Sequence, residues 1–358
     1  MKRSLPREHA EGATATSALA ANTSTLAATP GARSATALPR AGEQVPTRID
    51  GDPPPMFSLV LATYGRSDVL EPMLASLIAQ TCRDFELIVV DQNADDRVVP
   101  LLEPMQRAGV AVAHLRIGQP NLSAARNLGI SQARGIFVAF PDDDCWYEPD
   151  CLAQVAAASR IQPVVSGWVA RWVEACPDSL PELQVEVSGS ALRKFRGGDA
   201  SSISLFLRRD GLRAISGFDA RIGVGRYYGA GEETDLMIRF LDAGLAVRSL
   251  PMARVHHRHD CERPALTRAR WQAVIRRERG VGALYVKHGL AWRVIARGLL
   301  APLWNGMTSR RPVDGLLYGL AAVFGRLAGM IRWRLAEPRS TRGSHDAAST
   351  AGDQERGR

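Results

Sequence analysis

From Phe57 onward the chain switches repeatedly between two hydrophobic periods. Phe57-Ser58-Leu59-Val60-Leu61-Ala62 is a near-continuous apolar run and reads as a strand buried on both faces. Leu70, Met73, Leu74, Leu77 and Ile78 follow at helical spacing, with Pro72 tolerable only inside the first turn. Phe85 to Val90 reads as a second strand ending on Asp91, residues 110–117 as a third and 136–140 as a fourth. A helix over about 122–133 precedes the fourth strand, and another, opened by Pro149, runs to about Ser159. Strands alternating with helices predict an α/β domain whose mostly parallel, Rossmann-like sheet is flanked by helices. Ligands bind such sheets beyond the carboxyl ends of the strands. Thr63-Tyr64, Asp91 and Asp142-Asp143-Asp144 all fall at such ends, so three separate segments point to one crevice.

The second half is less regular. Leu236, Met237, Phe240 and Leu241 resume helical spacing until Gly244, and a short strand over 246–250 follows. Beyond residue 263 the pattern is helical, with apolar stretches at about 290–305 and 315–331. Arg293 and Arg297 interrupt the first and Arg326 the second. A charge near the middle of a span is costly, so neither reads as a clean transmembrane helix. Two readings remain: amphipathic helices lying on a membrane, with Trp292, Trp304, Tyr318 and Trp333 at the headgroup boundary, or a helical cap packed on the domain.

Composition sets the boundaries. Residues 1–54 are rich in Ala, Thr, Ser, Pro and Gly and bury too little to offset ordering entropy, so they read as disordered, as does a tail over 336–358. Between them lie an α/β domain over 55–262 and a basic helical region over 263–335. The net charge of +8 over 358 residues is concentrated in that basic region, which suits anionic lipid or phosphate-bearing substrates. Nucleic acid is set aside, because no helix-turn-helix, zinc-finger or aromatic-basic module accompanies the charge. Five scattered cysteines without a CxxC pair fit a reducing compartment, and the basic N-terminus is not followed by the apolar segment of a secretory signal; a cytosolic address is expected.

Phe140-Pro141-Asp142-Asp143-Asp144-Cys145-Trp146 places three carboxylates directly after an apolar strand. Hard divalent cations such as Mg²⁺ or Mn²⁺ take oxygen ligands and keep waters plus substrate phosphates, so one or two such carboxylates suit a metal–diphosphate complex. A solvated acidic loop is the plain alternative. His256, His257, His259 and Cys261 lack the second ligand cluster that a zinc site needs.

Here the sequence resembles the inverting glycosyltransferases of family 2, which have the GT-A fold. The acidic triplet looks like their DxD region. Ser58 to Arg66 (SLVLATYGR) resembles the first strand and its nucleotide-contacting turn, and Glu86 to Asp91 (ELIVVD) the second strand. Asn121 to Gly129 (NLSAARNLG) resembles the helix before the DxD strand, Gly229 to Leu236 (GAGEETDL) the acidic catalytic motif, and Val255-His256-His257 the late histidine. The likeness covers about residues 57 to 260.

The resemblance implies a nucleotide-sugar donor site in which Thr63, Tyr64 and Arg66 line the base side. Asp91 would accept from a pyrimidine N–H, Asp142 face the ribose, and Asp143 stand beside it. Asp144 would hold the metal, with His257 completing its shell or donating to the diphosphate. Arg126 with Asn127 either sits near the phosphates or ties a loop to its helix. The family commonly has Glu-Asp at the catalytic motif; this chain has Glu232-Glu233, which puts Glu233 in the base position and keeps Glu232 as the alternative. Gly197-Gly198-Asp199 resembles a mobile acceptor loop, and Asp235 is grouped with Gly198 and Asp199 on that side. A hydroxyl of a glycan or lipid-diphosphate-linked acceptor, at an anionic membrane surface, is the implied partner. A sugar nucleotidyltransferase and a non-catalytic nucleotide-sugar-binding scaffold are the competing readings.

Overall fold

The computed structural model describes residues 53–174, 184–195, 201–258, 267–309 and 311–336. Gly198, Asp199, His259 and Cys261 lie outside these residues, as do 1–52 and 337–358. Eight strands are present: β1 (Phe57–Thr63), β2 (Phe85–Asp91), β3 (Ala111–Arg116), β4 (Phe137–Ala139), β5 (Cys145–Tyr147), β6 (Gly167–Trp172), β7 (Leu205–Arg208) and β8 (Val247–His257). They form one sheet in the order β3-β2-β1-β4-β7-β6-β8-β5. The first four are mutually parallel, β7 runs antiparallel between β4 and β6, β8 is parallel to β6, and β5 is antiparallel to β8.

Helices α1 (Leu70–Ile78), α2 (Val99–Arg107), α3 (Leu122–Gln132), α4 (Cys151–Ile161), α5 (Gly189–Arg193), α6 (Arg209–Ala214) and α7 (Glu232–Asp242) accompany the sheet. The alternation of β1 decides how. Phe57, Leu59 and Leu61 join Leu70, Leu74, Leu152 and Val155 of α1 and α4 in one core. Val60 and Ala62 join Ala125 and Ile130 of α3 with Leu236 and Phe240 of α7 in another. Both faces of the sheet are therefore covered, which is why its strands are almost uninterrupted apolar runs. A helical extension follows: α8 (Arg268–Lys287), α9 (Trp292–Met307) and α10 (Pro312–Ala336). This is the α/β architecture, with helices flanking a mostly parallel sheet, that the sequence predicts.

Two differences have physical causes. The strand expected to stop at Leu250 continues to His257, because β8 absorbs Pro251 in a bulge: its partner on β6 jumps from Ala170–Leu250 to Arg171–Arg254. The elements β6, β7, α5 and α6 are too short to show a period, and β7 has only four residues.

The approach of α3 to the sheet is set by Gly129. A Cβ there would overlap the side chain of Val60 on β1. Gly129→Ala is expected to lower unfolding free energy by about 1–3 kcal/mol. In denaturant titrations the double variant with Val60→Ala should be less destabilised than the sum of the two single changes.

Candidate active site

β1 and β2 are in register from Phe57–Phe85 to Thr63–Asp91, so the two strands end level. Thr63 is buried and its Oγ1 donates to Asp143 Oδ2 at 3.1 Å. Arg66 Nη1 reaches Asp143 Oδ1 at 3.2 Å and Asp144 Oδ2 at 2.6 Å. Tyr64 is 56% exposed, one residue beyond the strand. Asp91 is fully buried; its Oδ1 accepts from the backbone and side-chain N–H groups of Asn93, at 2.8 and 2.7 Å, and its Oδ2 lies 3.0 Å from His114 Nε2. Burial raises the Asp91 carboxyl, but the hydrogen bonds from His114 and Asn93 outweigh it and hold the group below its ordinary value. Asn93 Oδ1 in turn accepts from Gly65 N at 2.7 Å, locking the β1 turn to the end of β2.

The third strand end is completed from the far side of the sheet. β5 starts directly after the acidic triplet and pairs with the end of β8, placing Cys145 opposite His257. His257 Nε2 consequently lies 3.0 Å from Asp144 Oδ1. That contact, against burial and helped by Arg66, pulls Asp144 down to about 2, and the same pairing raises His257. Asp143 behaves oppositely: burial pushes its carboxyl up despite Arg66 and Thr63.

Arg126 joins this cluster to Glu232 at the start of α7. It is 1% exposed, on the inward face of α3, whose first turn is capped by Asn121 accepting from Ala124 N. Its Nη2 donates to Asp142 Oδ1 at 2.8 Å and to Ser202 Oγ at 2.9 Å, while Nη1 reaches Glu232 Oε1 at 3.4 Å. The guanidinium also lies 5.4 Å from the centre of the Phe218 ring. These contacts link the triplet to α7.

Glu232 and Glu233 open α7 after Gly231, which adopts a left-handed φ of +96°. Each has one buried carboxyl oxygen, Oε2, without a hydrogen-bond partner. Burial, with the charge of Glu232 beside it, pushes Glu233 up to about 8. Asp235 does not join them. It is fully buried and faces Arg239 at 2.9 Å, Lys287 at 2.7 Å and His288 at 2.9 Å. Lys287 also reaches Asp219 at 2.7 Å.

Helix α8 therefore braces the start of α7, and its contacts continue upstream. Gly229 N donates to Arg276 O, Ala230 O lies against Gly280, and Leu284 packs on Gly231. Sequence reasoning missed Lys287, His288 and this role of α8. The usable signal was the pair of glycines, Gly280 and Gly282, inside an otherwise helical run. A separate cavity of about 550 Å³ lies between α8, α9 and α10, lined by Val274, Arg277, Pro302, Tyr318, Ala322 and Arg326.

A divalent cation fits only a sparse protein shell here. Asp144 and His257 converge, and His257 Nδ1 is buried without a hydrogen-bond partner. Among the described residues no group of three His, Cys, Asp or Glu side chains is placed to hold a metal. Two protein ligands suit Mg²⁺ or Mn²⁺ that retains waters and takes diphosphate oxygens, and do not suit a structural zinc.

Two stability measurements test this geometry. Arg126→Met leaves the buried Glu232 carboxylate unpaired and is expected to cost about 3–5 kcal/mol in denaturant unfolding, with part recovered by adding Glu232→Gln. Glu233 binds its proton more tightly folded than unfolded, so it opposes folding increasingly as pH climbs from its ordinary 4.5 to about 8. Glu233→Gln should accordingly be more stable than the parent by about 1 kcal/mol or more at pH 8, the difference fading towards pH 4.5.

Comparison with known proteins follows the same map. The model of the family described as glycosyl transferase family 2 matches residues 58–179. The putative glycosyltransferase EpsH of Bacillus subtilis is 34% identical over 101 residues, covering 28% of this chain and 29% of that protein. A PGL/p-HBAD biosynthesis glycosyltransferase of Mycobacterium bovis is 35% identical over 105 residues, covering 29% of this chain and 41% of the relative. The chain thus spans less than half the length of these curated relatives. Among solved structures, TarS of S. aureus in complex with UDP aligns over 79% of this chain and 92% of its own, with 16% identity and a TM-score of 0.49. The mannosyltransferase PcManGT from Pyrobaculum calidifontis, in complex with GDP-Man and Mn²⁺, aligns over 82% of this chain and 80% of its own, with 16% identity and a TM-score of 0.49. The family match runs from β1 through β6 and holds Thr63, Asp91, Arg126 and the acidic triplet. Residues 58–179 thus resemble glycosyl transferase family 2, and the likeness stops short of the rest of the chain.

Proposed function

We propose that the protein is a metal-dependent, inverting glycosyltransferase of the hexosyl-transferring type, moving a sugar from a nucleoside diphosphate, UDP by preference, to an acceptor hydroxyl in polysaccharide biosynthesis. The observation that carries this reading is the Arg126 bridge, which sets a donor-side cluster and a pair of partly unsatisfied carboxylates on one crevice. Thr63, Tyr64, Arg66 and Asp91 receive the base side of the nucleotide, and Asp142 and Asp143 the ribose side. Asp144 and His257 would hold Mg²⁺ or Mn²⁺, and the ion would supply Lewis-acid stabilisation for a departing diphosphate.

Glu233 takes the proton from the acceptor hydroxyl as that oxygen attacks the anomeric carbon opposite the leaving group. One displacement inverts the configuration, and no covalent enzyme intermediate forms. Glu233 suits the role better than Glu232 because Glu232 is engaged by Arg126. The acceptor is a glycan or lipid-diphosphate-linked hydroxyl, and the protein works in the cytoplasm, peripherally on the inner face of the plasma membrane; the free thiols of Cys82, Cys145 and Cys151 suit that compartment. A nucleotidyltransferase reading is disfavoured because the turn after β1 has a single glycine, Gly65, whose N–H is already donated to Asn93.

A panel of nucleotide sugars, with nucleotide release followed with and without chelator, tests the assignment. Release should require the divalent ion; failure of every donor with Mg²⁺ or Mn²⁺ present would leave the scaffold reading. Glu233→Gln should lower kcat by about a hundredfold or more with donor KM little changed. Because the base acts deprotonated, the parent rate should rise with pH through about 8.

A further inference from the structure

Helix α10 is built inside out by the standard of a water-soluble helix. Val313, Leu317, Leu320, Phe324, Leu327 and Ile331 are all exposed, and their steps of three and four place them on one face over about 27 Å. The covered face is made of the small residues Gly319, Ala321, Ala322, Gly325 and Gly329, closed at its end by Trp333, which is buried against Tyr228 and does not stand at a headgroup boundary as the sequence suggests. A Cβ on Gly319 would lie 2.6 Å from Pro302 O, one on Gly325 2.7 Å from Ile275 O, and one on Gly329 would overlap Arg279 O. A helix packed in water turns its large apolar side chains inward. Small residues inside and large ones outside is the pattern of helices whose surroundings are hydrocarbon. Helix α9, in backbone contact with α10 where Gly306 meets Gly315, adds exposed Leu300, Trp304 and Met307.

Arg326, the charge that interrupts this stretch in the sequence, is turned away from the outer face. Arg326 points inward, with Nε donating to Glu278 Oε2 at 2.6 Å and Nη1 to Gly298 O, and leaves the outer face uncharged. By length and composition α10 is apolar enough to cross a membrane. Its neighbour rules that orientation out. Contacts Ile275–Gly325, Arg279–Gly329 and Lys287–Trp333 advance together, so α8 runs alongside in the same direction, with Arg276 and Arg277 exposed. A crossing α10 would carry those arginines into hydrocarbon. The helix instead has one side for protein and one for lipid.

Charge identifies the occupant. Exposed Arg293, Arg311 and Arg334 lie near the ends of α9 and α10, and the only acids in the described parts of the three helices are Glu278, already paired, and Asp314. A second copy of this face would bring like charges together, whereas anionic lipid neutralises them. We propose that the outer face of α10, with Leu300, Trp304 and Met307 of α9, seats the protein in the interface of an anionic bilayer, α10 lying in the membrane plane. This extends the membrane-borne acceptor reading by naming the face, its mode of insertion and its lipid charge. Since α10 rests on α8 and α8 on residues 229–231, the seat also fixes how the crevice stands above the surface.

Flotation of the full chain with vesicles needs neither donor nor acceptor, so it succeeds or fails independently of transfer. Binding is expected to phosphatidylglycerol-containing vesicles and to be far weaker on pure phosphatidylcholine. Phe324→Asp with Leu320→Asp, both exposed, should weaken binding by about tenfold or more while leaving thermal unfolding unchanged. Arg311→Gln and Arg334→Gln should each cost about fivefold. Brominated lipid should quench a fluorescence component that Trp304→Phe removes. No flotation on anionic vesicles, or binding indifferent to the Asp pair, overturns the proposal. So does a dimer in lipid-free light scattering that the Asp pair disperses, because the face would then belong to a second copy.

Discussion

The site depends on one buried cation. Arg126 is enclosed by α3, the acidic triplet, Ser202 and α7, and its charge is balanced by Asp142 on one side and Glu232 on the other. A guanidinium suits this position because its planar fork presents separate N–H groups in fixed directions, which a lysine ammonium does not. The spacing between the donor side and the catalytic motif is therefore set by the width of one rigid group. It is not left to the flexibility of two loops.

Around that cation the fold divides the labour. β1, β2 and β3 end level while β4 stops at the register of Leu59, and their carboxyl ends deliver Thr63, Asp91 and the triplet to one edge. The antiparallel return through β8 brings His257 back to Asp144 from more than a hundred residues away. The catalytic motif has no strand beneath it. It is held by α8, through a backbone hydrogen bond to Gly229 and the Lys287 and His288 contacts with Asp235. The helical extension is thus part of the support of the crevice as well as the place where lipid is proposed to meet the protein.

How much of this was legible in the sequence follows from how local each signal is. β1 to β4 with α1, α3 and α4 announce themselves because each buries a whole face or stripe, and the strand ends place Thr63, Asp91 and the triplet together; α2 and the three-residue β5 were not read. The return strands were opaque: β7 is four residues long, and Pro251 disguises a bulge in β8 as a terminus. The pairing of Lys287 with Asp235 and Asp219 is a contact between distant segments with no periodicity to betray it. Arg326 is a related case, since the sequence shows a charge in an apolar run but not the Glu278 that receives it.

The β5–β8 ladder carries a consequence of its own. It is three residues long, and adjacent strand residues point to opposite faces. A slip of one position would keep most backbone bonds while turning His257 away from Asp144. The same slip would turn Cys145 and Tyr147, or Val255, out of the core, so the burial of those side chains also holds His257 in register with Asp144.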